Sequence, residues 1–406
     1  MTNLKPKPKI LFVTLSMARG GTEGHLREIA PRLAARGWPV TIYCLIESGP
    51  LAEGLSALGV SVVTRSARGG KASRLPNALR AAMSAPHLLA TLRRLRPGIV
   101  HFFLPAAYLI GAPLALLARV PVRIMSRRSQ NDYQSAHPIA GRLERKLHGR
   151  MSAILGNSRR VVRELIDEEN CREADVGLLY NGVTTERFGD QHVRSEKRRE
   201  LGLDDGDYVI VTVANLIPYK GHEDLLRGLA IARAELPPAW VLLCVGRDDG
   251  IGDKLQALAT ELGLAAHVRF LGSHAGVPGL LSAADMGVLA SHEEGFSNAV
   301  LEGMAAGLPM VVTDVGGNAE AVTDGVHGYV VPPRNPHELA RALGLIASDT
   351  VRAQAMGAAG RRRIEERFSM DACVAAYEIV YNGLLAGAHA GTLAPVAERP
   401  ELETPG

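Results

Sequence analysis

Cysteine is scarce in this chain. Four of the 406 residues are cysteine, at Cys44, Cys171, Cys244 and Cys373, and no two form a Cys-x-x-Cys pair. Such spacing excludes a disulfide frame or a thiolate zinc site and fits reduced thiols in a cytoplasmic compartment. The 13 histidines contain no His-x-x-x-His and no Cys/His cluster, so metal ligands look absent. Asp205-Gly206-Asp207 is formally Asp-x-Asp, but it stands in a polar stretch before a predicted strand. No metal site, no cofactor and no obligatory divalent ion are therefore expected. Aromatic residues make up only 4%, which leaves few rings for stacking bases, and no nucleic-acid module is recognisable. No predicted strand is followed by Gly-x-Gly-x-x-Gly, and the first one leads into Arg19-Gly20-Gly21-Thr22-Glu23-Gly24, which excludes a dehydrogenase-type dinucleotide site. The N-terminus lacks the apolar core and cleavage site of a signal peptide. The run from Phe102 to Ala118 is seventeen residues without a charge and contains Pro105, Gly111 and Pro113. It falls short of a membrane span and is predicted as a strand end, a loop and a buried helix.

The sharpest local absence is of acid. Residues 54–131 contain no Asp or Glu but twelve basic residues: Arg65, Arg68, Lys71, Arg74, Arg80, Arg93, Arg94, Arg96, Arg119, Arg123, Arg127 and Arg128. Residues 1–186 carry a net charge of +14 and the remainder −10. That asymmetry points to an anionic partner for the first half, either a membrane surface or a phosphate-bearing lipid acceptor, with a solvated basic face as the alternative.

What is present is a regular alternation of apolar strands with helical segments. Strands are predicted at 9–15, 39–45, 60–64, 98–103 and 122–126, then at 208–214, 240–245, 267–271, 285–290 and 310–313. Alternation of this kind gives parallel sheets with helices on both faces, an α/β class. The pattern lapses over 187–207, where Ser195-Glu196-Lys197-Arg198-Arg199-Glu200 precedes Asp204-Asp205-Gly206-Asp207. A linker is placed there, between an N-terminal domain of 1–186 and a C-terminal domain of 208–368. A helix over 369–385 follows, and 386–406, with its Gly, Pro and Glu, reads as a disordered tail.

The most informative run is Ser291-His292-Glu293-Glu294-Gly295-Phe296-Ser297-Asn298-Ala299-Val300-Leu301-Glu302. A strand leads into a polar loop carrying Glu294, and a helix starting near Ser297 carries Glu302 about a turn and a half inside. Unpaired N–H groups at such a helix start suit a phosphate, and two carboxylates flanking it suit sugar hydroxyls. This Glu-x7-Glu, with Ala305-Ala306-Gly307-Leu308-Pro309 and Thr313-Asp314-Val315-Gly316-Gly317-Asn318 after it, resembles the donor signature of the family 4 retaining glycosyltransferases. Gly20-Gly21-Thr22-Glu23, Asn157-Ser158, Asn181-Gly182-Val183, Lys220-Gly221 and Gly328-Tyr329-Val330-Val331-Pro332 follow in the family's order, over about residues 9–385.

The resemblance implies the GT-B architecture, two Rossmann-like domains with parallel sheets facing across a cleft, with the 369–385 helix returning to the first domain. It implies a hexosyl transfer with retention from a nucleoside diphosphate sugar, UDP-linked in preference to GDP-linked, to a hydroxyl of a cell-envelope glycan or glycolipid. Donor-binding residues by that resemblance are Gly20, Gly21, Asn215, Lys220, Glu294, Gly295, Phe296, Ser297, Asn298 and Glu302, with Glu294 also catalytic. Where the family carries an arginine beside the lysine, this chain has Asn215, and both Arg247 and Arg19 are able to supply a second charge. Many members also carry a histidine in a Thr-x-His context after the strand at 122–126, and this chain reads Ser126-Arg127-Arg128 there. His101, at a strand's C-terminal end, is the substitute candidate for a catalytic base. An epimerase of the same fold and a non-catalytic sugar-nucleotide binder are the alternatives. The expected location is cytoplasmic, peripheral on the inner face of the membrane.

Overall fold

The computed structural model describes residues 6–65, 76–130, 134 and 137–393. They form two compact units, one of the described residues up to Asn181 together with those from Cys373 onward, and one of Gly182–Ala372. The first unit holds a seven-stranded sheet of order β3-β2-β1-β4-β5-β6-β7: β1 Ile10–Ser16, β2 Val40–Glu47, β3 Val60–Thr64, β4 Ile99–Phe103, β5 Val122–Arg127, β6 Ala153–Gly156 and β7 Val176–Leu178. Its helices are α1 Gly21–Ala35, α2 Asn77–Ala82, α3 Ala85–Leu95, α4 Pro105–Leu117, α5 Pro138–His148 and α6 Arg159–Asp167. The second unit holds a six-stranded sheet of order β10-β9-β8-β11-β12-β13: β8 Tyr208–Val213, β9 Trp240–Val245, β10 Val268–Gly272, β11 Met286–Leu289, β12 Met310–Thr313 and β13 Gly328–Val331. Its helices are α7 Gln191–Glu200, α8 His222–Ala232, α9 Gly252–Glu261, α10 Val277–Ala283, α11 Asn298–Ala305, α12 Asn318–Ala321, α13 Pro336–Ala347 and α14 Thr350–Arg367, and α15 Met370–Leu385 follows.

Every strand pairing is parallel. Helices cover both faces of such sheets, so central strands are apolar throughout. Trp240–Val245 is buried at all six positions and Ile99–Phe103 at all five. Each unit has its own core, around Val13, Phe102, Tyr108 and Met125 in the first and around Leu242, Met286, Val311 and Leu343 in the second. The run from Phe102 to Ala118 resolves into the end of β4, a single turn residue, Leu104, at φ +73°, and the thirteen-residue α4. At 1.5 Å per residue that helix is about 20 Å long, too short for a bilayer core. Among the described residues no helix is long and apolar enough to cross a membrane.

The chain departs from the sequence expectation at both proposed boundaries. The units divide after Asn181, because Val183 exchanges backbone hydrogen bonds with Phe368 and Met370 (both 2.9 Å) and so joins the second unit. The stretch 187–207 is not a free linker. It contains α7, which packs on α10, and Arg198 is buried there. The Arg198 guanidinium donates to the carbonyls of Ala283 (2.9 Å), Asp204 (2.7 Å) and Asp207 (2.6 Å). A Lys/Arg/Glu-rich sequence looks solvated, yet one arginine whose guanidinium meets several carbonyls and the Asp285 carboxylate (3.5 Å) is tolerated inside. The tail reading also starts too early: Ala390–Thr392 forms a 3-10 turn against β7, with Ala390 buried. Residues 394–406 lie outside the described residues, as do Arg68, Lys71 and Arg74 of the basic stretch.

Helix α15 belongs to the first unit from Cys373 onward. Glu378 accepts hydrogen bonds from Lys7 Nζ (2.7 Å), Trp38 Nε1 (2.8 Å) and Arg36 Nη1 (3.0 Å), while Tyr377 and Tyr381 are buried.

Candidate functional site

In the second unit the strand order reverses between β8 and β11, which are hydrogen-bonded neighbours. Open α/β sheets gather ligands outside the C-terminal ends of strands at such a reversal. The loop after β8 carries Lys220 and the loop after β11 carries Glu294, and the two side chains meet there. Lys220 Nζ donates to Glu294 Oε1 at 2.6 Å, with exposures of 18% and 10%. Ser291 Oγ donates to the same oxygen at 2.8 Å.

Glycine lets these loops close up. Gly221 lies at φ +68°, where any Cβ would collide with the carbonyl oxygen of Ala290, and Gly316 at φ +53° stands equally close to that of Glu294. Only a residue without Cβ fits at either position. Gly317 N donates to Gly295 O (2.7 Å), Thr313 Oγ1 to Ser291 O (2.5 Å) and Asn318 Nδ2 to Thr313 O (3.1 Å), so the loop after β12 braces the Glu294 loop. From the other side His292 N donates to Tyr219 O (2.7 Å), and the His292 ring meets Asp224 Oδ2 at 2.7 Å. Sequence reasoning assigns no role to Ser291, His292, Thr313 or Asp224. Their signal is only polarity at strand ends, and their partners are distant in the chain.

The helix expected near Ser297 is α11. Ser297 Oγ caps it by accepting from Val300 N at 3.4 Å, and Glu302 lies half-buried in its second turn. Gly295 is buried and Asn298 half-buried. Phe296 is 3% exposed and its ring packs on Phe368 at 5.2 Å, so its side chain serves the core and only its backbone faces the loop. Asn215, expected to offer a dipole, instead uses Oδ1 to accept from Arg247 N at 3.1 Å. Arg247 is exposed and is bound twice by Asp249, at 2.6 and 3.0 Å. Its charge is matched by Asp249 as that of Lys220 is by Glu294, and of the two cations Lys220 is the less exposed. Asp207 Oδ2 caps the backbone N–H of Asp204 (2.9 Å), so the Asp-x-Asp is a turn feature. Among the described residues no three His, Cys, Asp or Glu side chains converge as metal ligands.

The remaining site candidates lie in the first unit. Gly20 and Gly21 stand at the start of α1, beyond the end of β1. A Cβ on Gly20 would collide with the Glu23 carboxylate. Arg19, next to them, is exposed. His101 is fully buried in β4, with Nδ1 2.8 Å from Tyr381 Oη, Nε2 2.7 Å from Ser126 Oγ, and its ring stacked on Phe103. Burial, helped by the charge of Arg128, lowers its pKa to about 3. The imidazole is therefore neutral, with both nitrogens engaged by its own unit.

Residues 19–187 match the family described as Glycosyltransferase Family 4, and residues 193–363 match Glycosyl transferases group 1. A D-inositol 3-phosphate glycosyltransferase of Corynebacterium jeikeium is 30% identical over 67% of this chain and 67% of its own length. The chain belongs to glycosyltransferase family 4. Another protein of the same name, from Salinispora arenicola, is 33% identical over 57% of this chain, and the match spans 55% of its own length. The chain thus spans about half the length of the first curated relatives it matches. The lipopolysaccharide core mannosyltransferase LpsB of Rhizobium meliloti is 29% identical over 60% of this chain and 67% of its own. In fold, HepE of Anabaena in complex with UDP and glucose superposes with a TM-score of 0.79 at 24% identity, over 93% of this chain and all of its own. WaaG, a glycosyltransferase involved in lipopolysaccharide biosynthesis, gives 0.72 at 18% identity over 92% of this chain and all of its own. The fold is that of the GT-B glycosyltransferases, with a Rossmann-like parallel sheet in each unit.

Proposed function

We propose that this family 4 enzyme transfers a hexosyl unit with retention from a UDP-sugar to a hydroxyl of a cell-envelope glycan or glycolipid. The observation that carries the reading is the Lys220–Glu294 contact at the strand-order reversal of the second unit. Lys220 brings an ammonium to a water-poor loop cluster where a diphosphate needs neutralising, and Glu294 accepts sugar hydroxyls once the lysine turns to phosphate. Glu302, in the second turn of α11, takes the ribose hydroxyls. The HepE structures, which hold UDP, glucose and UDP-glucose, support uridine as the nucleotide. In this reading the lysine does the electrostatic work of a cation, and transfer proceeds without an obligatory divalent ion. The leaving phosphate oxygen takes the acceptor proton on the front face, and His101 is a packing residue.

The acceptor belongs to the membrane surface in this reading. On α5, Ile139, Arg142, Leu143 and Lys146 follow a helical spacing and are all exposed, as is Arg150 in the turn after it, while the helix's acid, Glu144, is buried. Helix α4 packs on α5 and α2 packs on α4, and they add exposed Leu117, Leu79 and, at the end of α2, Met83. Apolar and basic side chains mixed on one helical layer suit an anionic lipid interface.

The test is transfer from a panel of UDP- and GDP-sugars to envelope lipid extracts, with and without EDTA, scored by the anomeric configuration of the product. UDP-dependent, EDTA-insensitive product of retained configuration is expected. Preference for GDP-sugars, release of an epimer without acceptor, or binding without turnover would each replace this reading with its named rival.

A further inference from the structure

Glu294 Oε1 takes two donors of different kinds. Lys220 Nζ reaches it at 2.6 Å from the turn after β8, 74 positions away, and Ser291 Oγ reaches it at 2.8 Å from three positions before it. The Glu294 side chain is 10% exposed and Ser291 is fully buried. With little water beside it, this carboxylate depends on protein donors.

One donor is fixed and the other can leave. The backbone around Ser291 is tied from two sides: Thr313 Oγ1, at the end of β12, donates to Ser291 O (2.5 Å), and His292 N donates to Tyr219 O (2.7 Å) in the turn that carries Lys220. A serine held in this way has only χ1 with which to place its oxygen, and no charge to follow a ligand. Lys220 has its own backbone tied, with its N–H donating to Ile217 O (3.0 Å), but its ammonium rides on a flexible four-carbon stem and carries three donors. The Nζ lies 5.2 Å from the centre of the Tyr219 ring, which offers a cation a second hold. The ammonium can therefore turn while both loops stay in place.

A diphosphate that takes the lysine leaves Glu294 short of a charged donor, and an unmatched carboxylate withdrawn from water is costly. The Ser291 hydroxyl survives that exchange. Its bond to the carboxylate is charge-assisted, and once the lysine has turned it no longer shares the oxygen with an ammonium.

We propose that Ser291 is a positioning residue of the donor site: it keeps Glu294 hydrogen-bonded and aimed while Lys220 passes to the diphosphate, and so makes the lysine available. This rests on the glycosyl-transfer reading above and adds how one pair of side chains serves phosphate and sugar in turn.

The test is a double-mutant cycle on UDP binding, read by calorimetry on the full chain. Wild type, Ser291→Ala, Glu294→Gln and the double variant are compared, with Ser291→Cys beside them. Ser291→Ala should bind UDP about 3- to 10-fold more weakly than wild type, less than a whole hydrogen bond to a charged group is worth, because water partly replaces the hydroxyl. In the Glu294→Gln background the same change should shift UDP affinity by less than about twofold, since no carboxylate is left to satisfy. Ser291→Cys keeps the volume and puts a weak donor in place of the hydroxyl, so it should follow Ser291→Ala. Melting curves establish folding, and if Ser291→Ala does not melt cooperatively, Ser291→Cys carries the cycle. A serine that only packs or braces the loop would give the same loss in both backgrounds, and Ser291→Cys would then bind UDP as wild type does. Either result overturns the proposal, as does wild-type affinity in Ser291→Ala. Those outcomes leave the donor reading standing, which is judged separately by UDP binding to wild type and its loss in Lys220→Ala. Absence of UDP binding by wild type sinks the donor reading and this inference with it.

Discussion

Replacing Lys220 by alanine separates the nucleotide's phosphates from its sugar. In the wild-type chain the lysine is already held by Glu294 at 2.6 Å, with both groups mostly withdrawn from water. A hydrogen bond between charged groups contributes about 1.5–3 kcal/mol. A diphosphate that takes the lysine must displace or share that existing bond, so the net loss in Lys220→Ala should lie near the lower limit. About 1.5–2 kcal/mol corresponds to roughly 10- to 30-fold weaker UDP binding. Glu294→Gln does the opposite: it removes a negative charge beside the phosphates and leaves an acceptor for Ser291. UDP, which carries no sugar, should then bind as well as to wild type or several-fold better, while sugar transfer falls. Calorimetry with UDP and with UDP-sugar on both variants reads the two effects, with thermal melts to confirm folding. If folded Lys220→Ala bound UDP and GDP as wild type does, the lysine would have no phosphate role. If Glu294→Gln weakened UDP as much as Lys220→Ala, the pair would be a loop brace and not a donor site.

Three further outcomes are expected. His101→Ala should lower the melting temperature, because Tyr381 and Ser126 lose a buried partner. It should leave turnover within a few-fold and the pH profile unchanged, and a loss of about 10²–10⁴-fold in a protein that still binds donor would restore it as a general base. At Glu378 burial raises the carboxyl pKa, but donation from Lys7, Trp38 and Arg36 outweighs it and holds the value at about 2. A depressed pKa gives stability that is present above the unfolded value of 4.5 and is lost as pH falls towards 2. Discounted for screening, Glu378→Gln should cost about 1–2 kcal/mol at pH 7 and progressively less through that window, and acid melts showing an equal deficit at pH 7 and pH 2.5 would refute the linkage. On vesicles, wild type should sediment with anionic lipid at low salt and be released at high salt, and Ile139→Ser with Leu143→Ser should weaken this; equal partitioning to neutral lipid would sink the membrane reading.

Much of the fold is written in local pattern. Apolar runs such as Val209-Ile210-Val211 and Trp240-Val241-Leu242-Leu243, alternating with helices, identify parallel sheets because a strand covered on both faces has no polar side. The short strands Ala153–Gly156, Val176–Leu178 and Gly328–Val331 escape this reading. Three or four residues give no period, and only their neighbours in the sheet make them strands. The helix at 191–200 escapes too, because its charged sequence hides an arginine that is satisfied by carbonyls distant in the chain.

At the site, the sequence by itself determined the chemistry available: Lys220, Glu294, the capped helix at Ser297, and glycines where loops must touch. Spacing along the chain preserves such motifs because each is a local requirement of a turn or a helix start. Which groups meet was decided only by tertiary structure. It bound Lys220 to Glu294 across 74 positions, tied Asn215 to the Arg247 backbone, and sealed His101 between Tyr381 and Ser126. It matched Arg127 with two carboxylates, while among the described residues its neighbour Arg128 has none. Two adjacent arginines are chemically identical in a sequence, and they differ in the fold because the field at each guanidinium is set by residues far along the chain.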